Sequence, residues 1–171
     1  MFRKTMILIL LVTFVFTMAL AGTGTAALWG GKELETEKTA VNFAREAIKG
    51  GYKIVSTQEL KGWIDQKKDM LIVDTMPYED SYKKQHIPGA VQFEFPKEEV
   101  TTLDQKTKAA FEKLLAPNKN RLIVIYCGFT RCGRSHNGAM WAVKLGYKNV
   151  YRYPGGITAW TEAGYAVKKV D

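Results

Sequence analysis

Beyond residue 52, short apolar runs alternate with segments whose apolar positions recur at helical spacing. Met70–Asp74 (Met-Leu-Ile-Val-Asp) and Leu122–Tyr126 (Leu-Ile-Val-Ile-Tyr) are continuous apolar strands, the second the strongest in the chain. Residues 52–55, 90–93 and 150–153 give three shorter ones. Between them the pattern predicts a helix from a Ser56 or Thr57 cap to about Lys67, and another over 103–116, ended before Pro117. A third runs over 135–145, and Gly155-Gly156 opens a short one around Trp160. Strands apolar throughout, alternating with helices, predict an α/β fold: a central parallel sheet with helices on both faces. Such sheets carry their sites at the carboxyl ends of the strands. Two positions of that kind have reactive chemistry, Asp74 and Cys127.

The first half-hundred residues follow another pattern. Arg3 and Lys4 precede an unbroken run of apolar residues and Thr over 6–18, and Ala19-Leu20-Ala21 places small residues at −3 and −1 of a cleavage point. Residues 1–27 therefore read as an export signal, with Ala26 or Ala27 as alternative cleavage points. The 22 uncharged residues from Met6 to Ala27 would also suffice as a membrane anchor. Either reading puts the rest of the chain outside the cytoplasm, with the periplasm the expected place, and there thiols can pair. Residues 28–52 read as a linker and an extra amphipathic helix over 36–49. Its apolar stripe is Ala40, Val41, Phe43, Ala44, Ala47 and Ile48, and Gly50-Gly51 stops it. Residues 53–171 form the domain.

Composition narrows the function. The chain has 171 residues, 25 Lys plus Arg, 17 Asp plus Glu and a formal charge of +8, falling to +6 if Arg3 and Lys4 leave with a leader. The lysines lie in ones and twos, so the charge describes a solvated surface that attracts small anions, and no nucleic-acid partner is expected. Contact with a membrane is expected only if the leader is retained. Two cysteines exclude a disulfide-stapled miniprotein and a four-thiolate zinc site.

Those cysteines share one loop, Tyr126-Cys127-Gly128-Phe129-Thr130-Arg131-Cys132-Gly133-Arg134-Ser135. A thiol between a strand end and a helix start is placed for a depressed pKa: loop amides, the helix dipole, Arg131 and Arg134 all favour the thiolate. Gly128 and Gly133 let the backbone curl so that amides point inward, a cradle that would also hold an anionic substrate.

With His86-Ile87-Pro88-Gly89-Ala90, this loop, 145–150, Pro154-Gly155-Gly156, Trp160 and Gly164-Tyr165 in that order, the chain resembles the rhodanese-like family over about residues 53–170. The resemblance implies sulfur transfer through a persulfide on Cys127, with Gly128, Phe129, Thr130, Arg131, Gly133, Arg134 and Ser135 binding substrate. It implies a small anionic sulfur donor and a thiol, cyanide or protein acceptor, with no metal or cofactor. Two departures matter. Position 132 is Cys where the family often has Arg, giving a Cys-x4-Cys loop similar to that of an exported subset, and Arg134-Ser135 come two residues late. The arginine of the family's Asp-x-Arg is Met76. Thiosulfate is therefore less expected as donor, and Cys132 could resolve a persulfide on Cys127. Phosphatases of related fold need Cys-x5-Arg, and position 133 is Gly.

Other residues carry plainer expectations. Asp74 is expected to fix loop amides or cap a helix, as the resemblance implies, and His86 to make a structural hydrogen bond in its turn. Cys127, Cys132 and His136 could form a metal set but lack a fourth ligand. No Cys-x-x-Cys-His is present for haem attachment. Trp141 and Trp160 read as core. Two rival functions remain: a thiol-disulfide protein using Cys127 and Cys132, and a binding module without catalysis.

Overall fold

The computed structural model describes residues 32–170. The leader reading falls outside them, and no described helix is long and apolar enough to cross a membrane. In chain order the elements are α1 (Glu33–Gly50), β1 (Lys53–Ile54), α2 (Thr57–Asp65), β2 (Met70–Asp74), a π-helical turn (Tyr78–Tyr82), β3 (Ala90–Gln92), α3 (Gln105–Leu115), β4 (Leu122–Tyr126), α4 (Gly133–Lys144), β5 (Val150–Tyr153) and α5 (Gly156–Glu162). The five strands form one sheet in the order β1-β5-β4-β2-β3, every pair parallel. The expected α/β architecture is the one found.

Strand alternation divides the core in two. Leu71, Val73, Ile123, Ile125 and Val150 face one side and pack with Phe111 and Leu115 of α3 and Ala139 and Ala142 of α4. Ile72, Val124, Tyr126 and Tyr153 face the other, against Leu60 of α2 and Ile157 and Trp160 of α5. Each large side chain buried here contributes about 1.5–3 kcal/mol. β4 lies at the centre, with Asp74 beside Tyr126 in register, so Cys127 leaves the sheet next to the end of β2.

Capping chemistry sets the helix starts. Ser56 opens α2 with a capping box: the Glu59 amide donates to Ser56 Oγ at 3.3 Å, and the Ser56 amide to Glu59 Oε2 at 2.9 Å. Asp104 accepts from the Thr107 amide at 2.9 Å, so α3 begins at Gln105, later than the apolar pattern suggests. β1 keeps only two exposed residues of the four expected, as suits an edge strand.

The main compact unit begins at Thr39, within α1, so about three turns of that helix belong to it. In the preceding unit, Lys38 pairs with Glu35 at 2.9 Å. The stripe expected on α1 needs correction. Phe43, Glu46 and Ala47 are half-buried and Gly50 is buried, whereas Ala40 and Ala44 are exposed, as are Val41 (39%) and Ile48 (83%). The packed face is rotated toward Glu46, a polar residue that an apolar count passes over.

Candidate active site at the end of the central strand

Cys127 follows β4, and five residues later Cys132 is the N-cap of α4. The loop closes on itself where the Cys132 amide donates to the Phe129 carbonyl at 3.0 Å. α5 holds its near side: the Ile157 and Thr158 amides donate to the Cys127 and Gly128 carbonyls, each at 3.0 Å. That approach requires glycine at 156, where φ is +61° and a Cβ would lie 2.3 Å from the Cys127 oxygen. On the far side, a Cβ at Gly133 would lie 2.2 Å from the Lys97 carbonyl oxygen. The arginine that a Cys-x5-Arg loop places there has no room.

Both thiols are free and buried. Cys127 Sγ lies 3.1 Å from Ser135 Oγ and 3.3 Å from the Cys132 carbonyl oxygen. The expectation of a depressed Cys127 is corrected: burial pushes its thiol well up, and the neighbouring Cys132 sulfur adds to this, against relief from Ser135. Cys132 holds the depressed pKa instead. The hydrogen bond from the Cys127 thiol lowers it most, burial opposes, and the Arg134 and Gly128 amides and the Arg134 charge bring it to about 6. Its sulfur makes no capping bond of ordinary geometry, yet stands at the start of a twelve-residue helix. The two thiols titrate as a coupled pair, in which the surroundings favour the first negative charge on the Cys132 side.

Beneath the loop lies a residue that the sequence reading passed over. Arg152 of β5 is fully buried, and its five N–H donors all find acceptors. Nε donates to Ser135 Oγ at 2.9 Å. Nη1 donates to Glu46 Oε2 of α1 and, at 3.1 Å, to the Tyr52 hydroxyl. Nη2 donates to the Cys132 carbonyl at 3.1 Å and the Thr130 carbonyl at 3.3 Å. Burial disfavours its charge, but Tyr52 and Glu46 outweigh that and push its pKa further up. Phe43 presents its ring 5.0 Å from the guanidinium carbon. The Tyr52 hydroxyl also bonds His136 Nδ1 at 2.9 Å, and burial holds that imidazole below its ordinary pKa.

The other expected residues divide. Arg134 is turned to the Phe95 carbonyl and Glu94, so its charge reaches Cys132 while its hydrogen bonds are spent elsewhere. Arg131 and Phe129 are exposed. Asp74 is buried and accepts from the Met76 amide at 2.9 Å, fixing its own turn and not the cysteine loop. Desolvation raises its pKa to about 6, and its second oxygen makes no hydrogen bond. His86 stacks on Tyr82 and its Nδ1 bonds the Tyr82 carbonyl at 2.9 Å, away from the thiols. Among the described residues no three His, Cys, Asp or Glu side chains are grouped to hold a metal.

Comparison with known proteins agrees with this arrangement. The Rhodanese-like domain family matches residues 56–163. No curated protein sequence matches significantly. Among solved structures, thiosulfate sulfurtransferase from Pseudomonas aeruginosa is similar at 17% identity and a TM-score of 0.59, over 78% of this chain and 23% of that one. The 3-mercaptopyruvate sulfotransferase SseA from Escherichia coli is similar at 20% identity and 0.51, over 69% and 50%. A protein of unknown function from Rhodopseudomonas palustris, described as a possible tyrosine phosphatase, is similar at 18% identity and 0.55, over 76% and 93%. At these identities the likeness is one of fold. With a family match over most of its length and the parallel sheet ending in a cysteine loop, the chain belongs to the rhodanese-like domain family.

Proposed function

We propose that the protein is an exported sulfurtransferase that carries sulfane sulfur as a persulfide on Cys127. One observation carries this reading: Cys127 Sγ sits at the end of the central strand, 3.1 Å from Ser135 Oγ and 3.3 Å from the Cys132 carbonyl oxygen, with Cys132 as its coupled neighbour. Cys132 serves as the base. It takes the Cys127 proton as the Cys127 sulfur attacks the outer sulfur of a donor, and the bond between that sulfur and the donor breaks. Sulfite leaves if the donor is thiosulfate, and a thiolate leaves if it is a persulfide. The outer sulfur then passes to an acceptor thiol. Alternatively, the Cys132 thiolate attacks Cys127 Sγ and expels hydrosulfide. This forms a Cys127–Cys132 disulfide, which an external dithiol reduces. The net positive charge favours a small anionic donor.

Residues 1–27 support the exported location, and N-terminal sequencing of protein recovered outside the cytoplasm tests it. Intact mass spectrometry after exposure to thiosulfate, polysulfide and glutathione persulfide tests the chemistry. An adduct of one sulfur on Cys127 is expected, and its absence with every donor would refute the reading.

A specific asymmetry favours a second reading as a thiol-disulfide protein: the low-pKa sulfur is the helix N-cap Cys132, and its partner is the deeper Cys127. In that case Cys132 attacks first and Cys127 resolves. Loss of two hydrogens on oxidation, with no sulfur adduct, separates the two.

A further inference from the structure

The buried cation beneath the loop belongs to no element of the chemistry above. A guanidinium with every donor occupied is ordinarily a structural fork. Three features of its partners go further.

The first is the direction of the Ser135 hydroxyl. Ser135 Oγ accepts both from Arg152 Nε–H at 2.9 Å and from the Cys127 thiol 3.1 Å away, so once that sulfur has lost its proton the serine's own hydrogen is free to turn to it. Cation, hydroxyl and sulfur form a polarised chain, and an anion on Cys127 is the species that such a chain stabilises. The second is the loop backbone. Peptide units here are trans, and in a trans unit the carbonyl and the N–H point in opposite directions. Arg152 Nη2 draws the Thr130 and Cys132 carbonyls toward itself, so the Arg131 and Gly133 amides are turned away from the buried cation. The third is the counter-charge. Glu46 and Tyr52 bind Arg152 on Nη1, whereas Nε and Nη2 carry the bonds to Ser135 and the loop carbonyls, so the counter-charge sits on the nitrogen that does not serve the loop.

We propose that Arg152 is the positioning residue of the sulfur site, stabilising the anionic sulfur of Cys127 through Ser135 and setting the peptide orientations of the loop. It performs the task that the displaced loop arginines leave open. The inference rests on Cys127 being the sulfur-carrying thiol. Cys132 on the loop and Ser135 on α4 act on that thiol directly; Arg134 on α4 and Asp74 at the end of β2 face Cys132, and Arg152 on β5 reaches Cys127 through Ser135, with Glu46 on α1 and Tyr52 behind it.

The test reads Cys127 directly. The full chain and its Arg152→Gln, Arg152→Lys and Glu46→Gln variants are alkylated with iodoacetamide from mildly acidic to alkaline pH. Trypsin cuts after Arg121, Arg131 and Arg134, so Cys127 and Cys132 fall on separate peptides. Arg152→Gln is expected to move the Cys127 midpoint up by about one unit and to slow alkylation at neutral pH about tenfold. Arg152→Lys, which keeps the charge, recovers part of the shift. Glu46→Gln removes the counter-charge and moves the midpoint down. A folded Arg152→Gln protein with the parent's profile overturns the proposal, as does a Lys variant no better than Gln. Should Arg152→Gln fail to fold, a Glu46→Gln midpoint that stays or rises overturns it. Persulfide loading is measured on the parent alone. A parent that takes up no sulfur refutes the sulfurtransferase reading, and the alkylation profiles still decide on Arg152.

Discussion

The two faces of the sheet bury their residues by different means. Under α2 and α5 the cover is mainly apolar and aromatic, with Trp160, Leu60 and Ile157 closing over Val124, Tyr126 and Tyr153. Under α1 and α4 the same strands start with aliphatic residues, but toward their carboxyl ends the packing becomes polar: Arg152, Ser135, His136 and Asn137 are all buried there. β5 shows the change within four residues, since Val150 and Arg152 point to one face and Tyr151 and Tyr153 to the other. Asp74 and His86 are buried on the first face too, but the cluster that joins Arg152, Ser135 and His136 in one hydrogen-bond network, through Tyr52, lies on the second, next to the cysteine loop. Cys127 is the next position on that face after Ile123 and Ile125.

The sharpest way to break this comparison is to cut one residue from each face. Cys127→Ser should reduce sulfur loading by at least about a thousandfold while costing about 1 kcal/mol of stability or less. Trp160→Ala should do the reverse, losing about 3–5 kcal/mol in a denaturant titration while the protein that remains folded still loads sulfur. Loading lost equally in both would mean that the faces are not separable.

Gly156→Ala attacks the seam where α5 meets the loop. It forces a Cβ toward the Cys127 carbonyl at positive φ, and about 2–4 kcal/mol of destabilisation is expected, with a lowered melting temperature.

Asp74 sharpens the comparison through pH. Its carboxyl is raised from 3.8 to about 6, so between those values the folded protein holds a proton that the unfolded chain has released. Stability therefore falls as pH rises through that window, and the penalty is complete above it. Asp74→Asn should gain about 2 kcal/mol at neutral pH, and the gain should vanish below about pH 4. Urea titrations at both pH values measure it.

The smallest effect tests the corrected face of α1. Ile48→Ser, at an exposed position, should stay within about 0.5 kcal/mol of the parent, whereas Phe43→Ala beside Arg152 should cost about 1–3 kcal/mol.

Much of this was legible in the sequence. β2 and β4 announce themselves because a strand buried on both faces needs apolar residues at every position, and the loop follows from cysteines, glycines and a helix start in close order. The π-helical turn over Tyr78–Tyr82 gave no such signal, since its residues carry neither period. An apolar count places the face of α1 wrongly because the helix is anchored through Glu46. Arg152 carries a readable signal. A charge inside a strand that is otherwise buried requires a partner of opposite sign, and Glu46 is the one it meets at the far end of the domain sequence. The identity of the low-pKa thiol was not legible. Both cysteines border the same helix start in sequence, and only the folded loop decides which sulfur lies at the N-cap and which one sinks behind it.

The Lys97 carbonyl bears on how such a loop can change over evolutionary time. That carbonyl is not free to withdraw: Asn137 Nδ2 grips the Pro96 and Glu98 carbonyls on either side at 2.9 and 2.7 Å, and Asn137 Oδ1 and Trp141 hold Val100. A loop hemmed in by a pinned backbone on one side and by Gly156 on the other cannot be widened by point substitution at 133. The step from a ring sized for one sulfur to a ring sized for a phosphate must come as an insertion together with a rebuilt 96–100 segment. In this chain that change of ring size lies beyond a single substitution at 133.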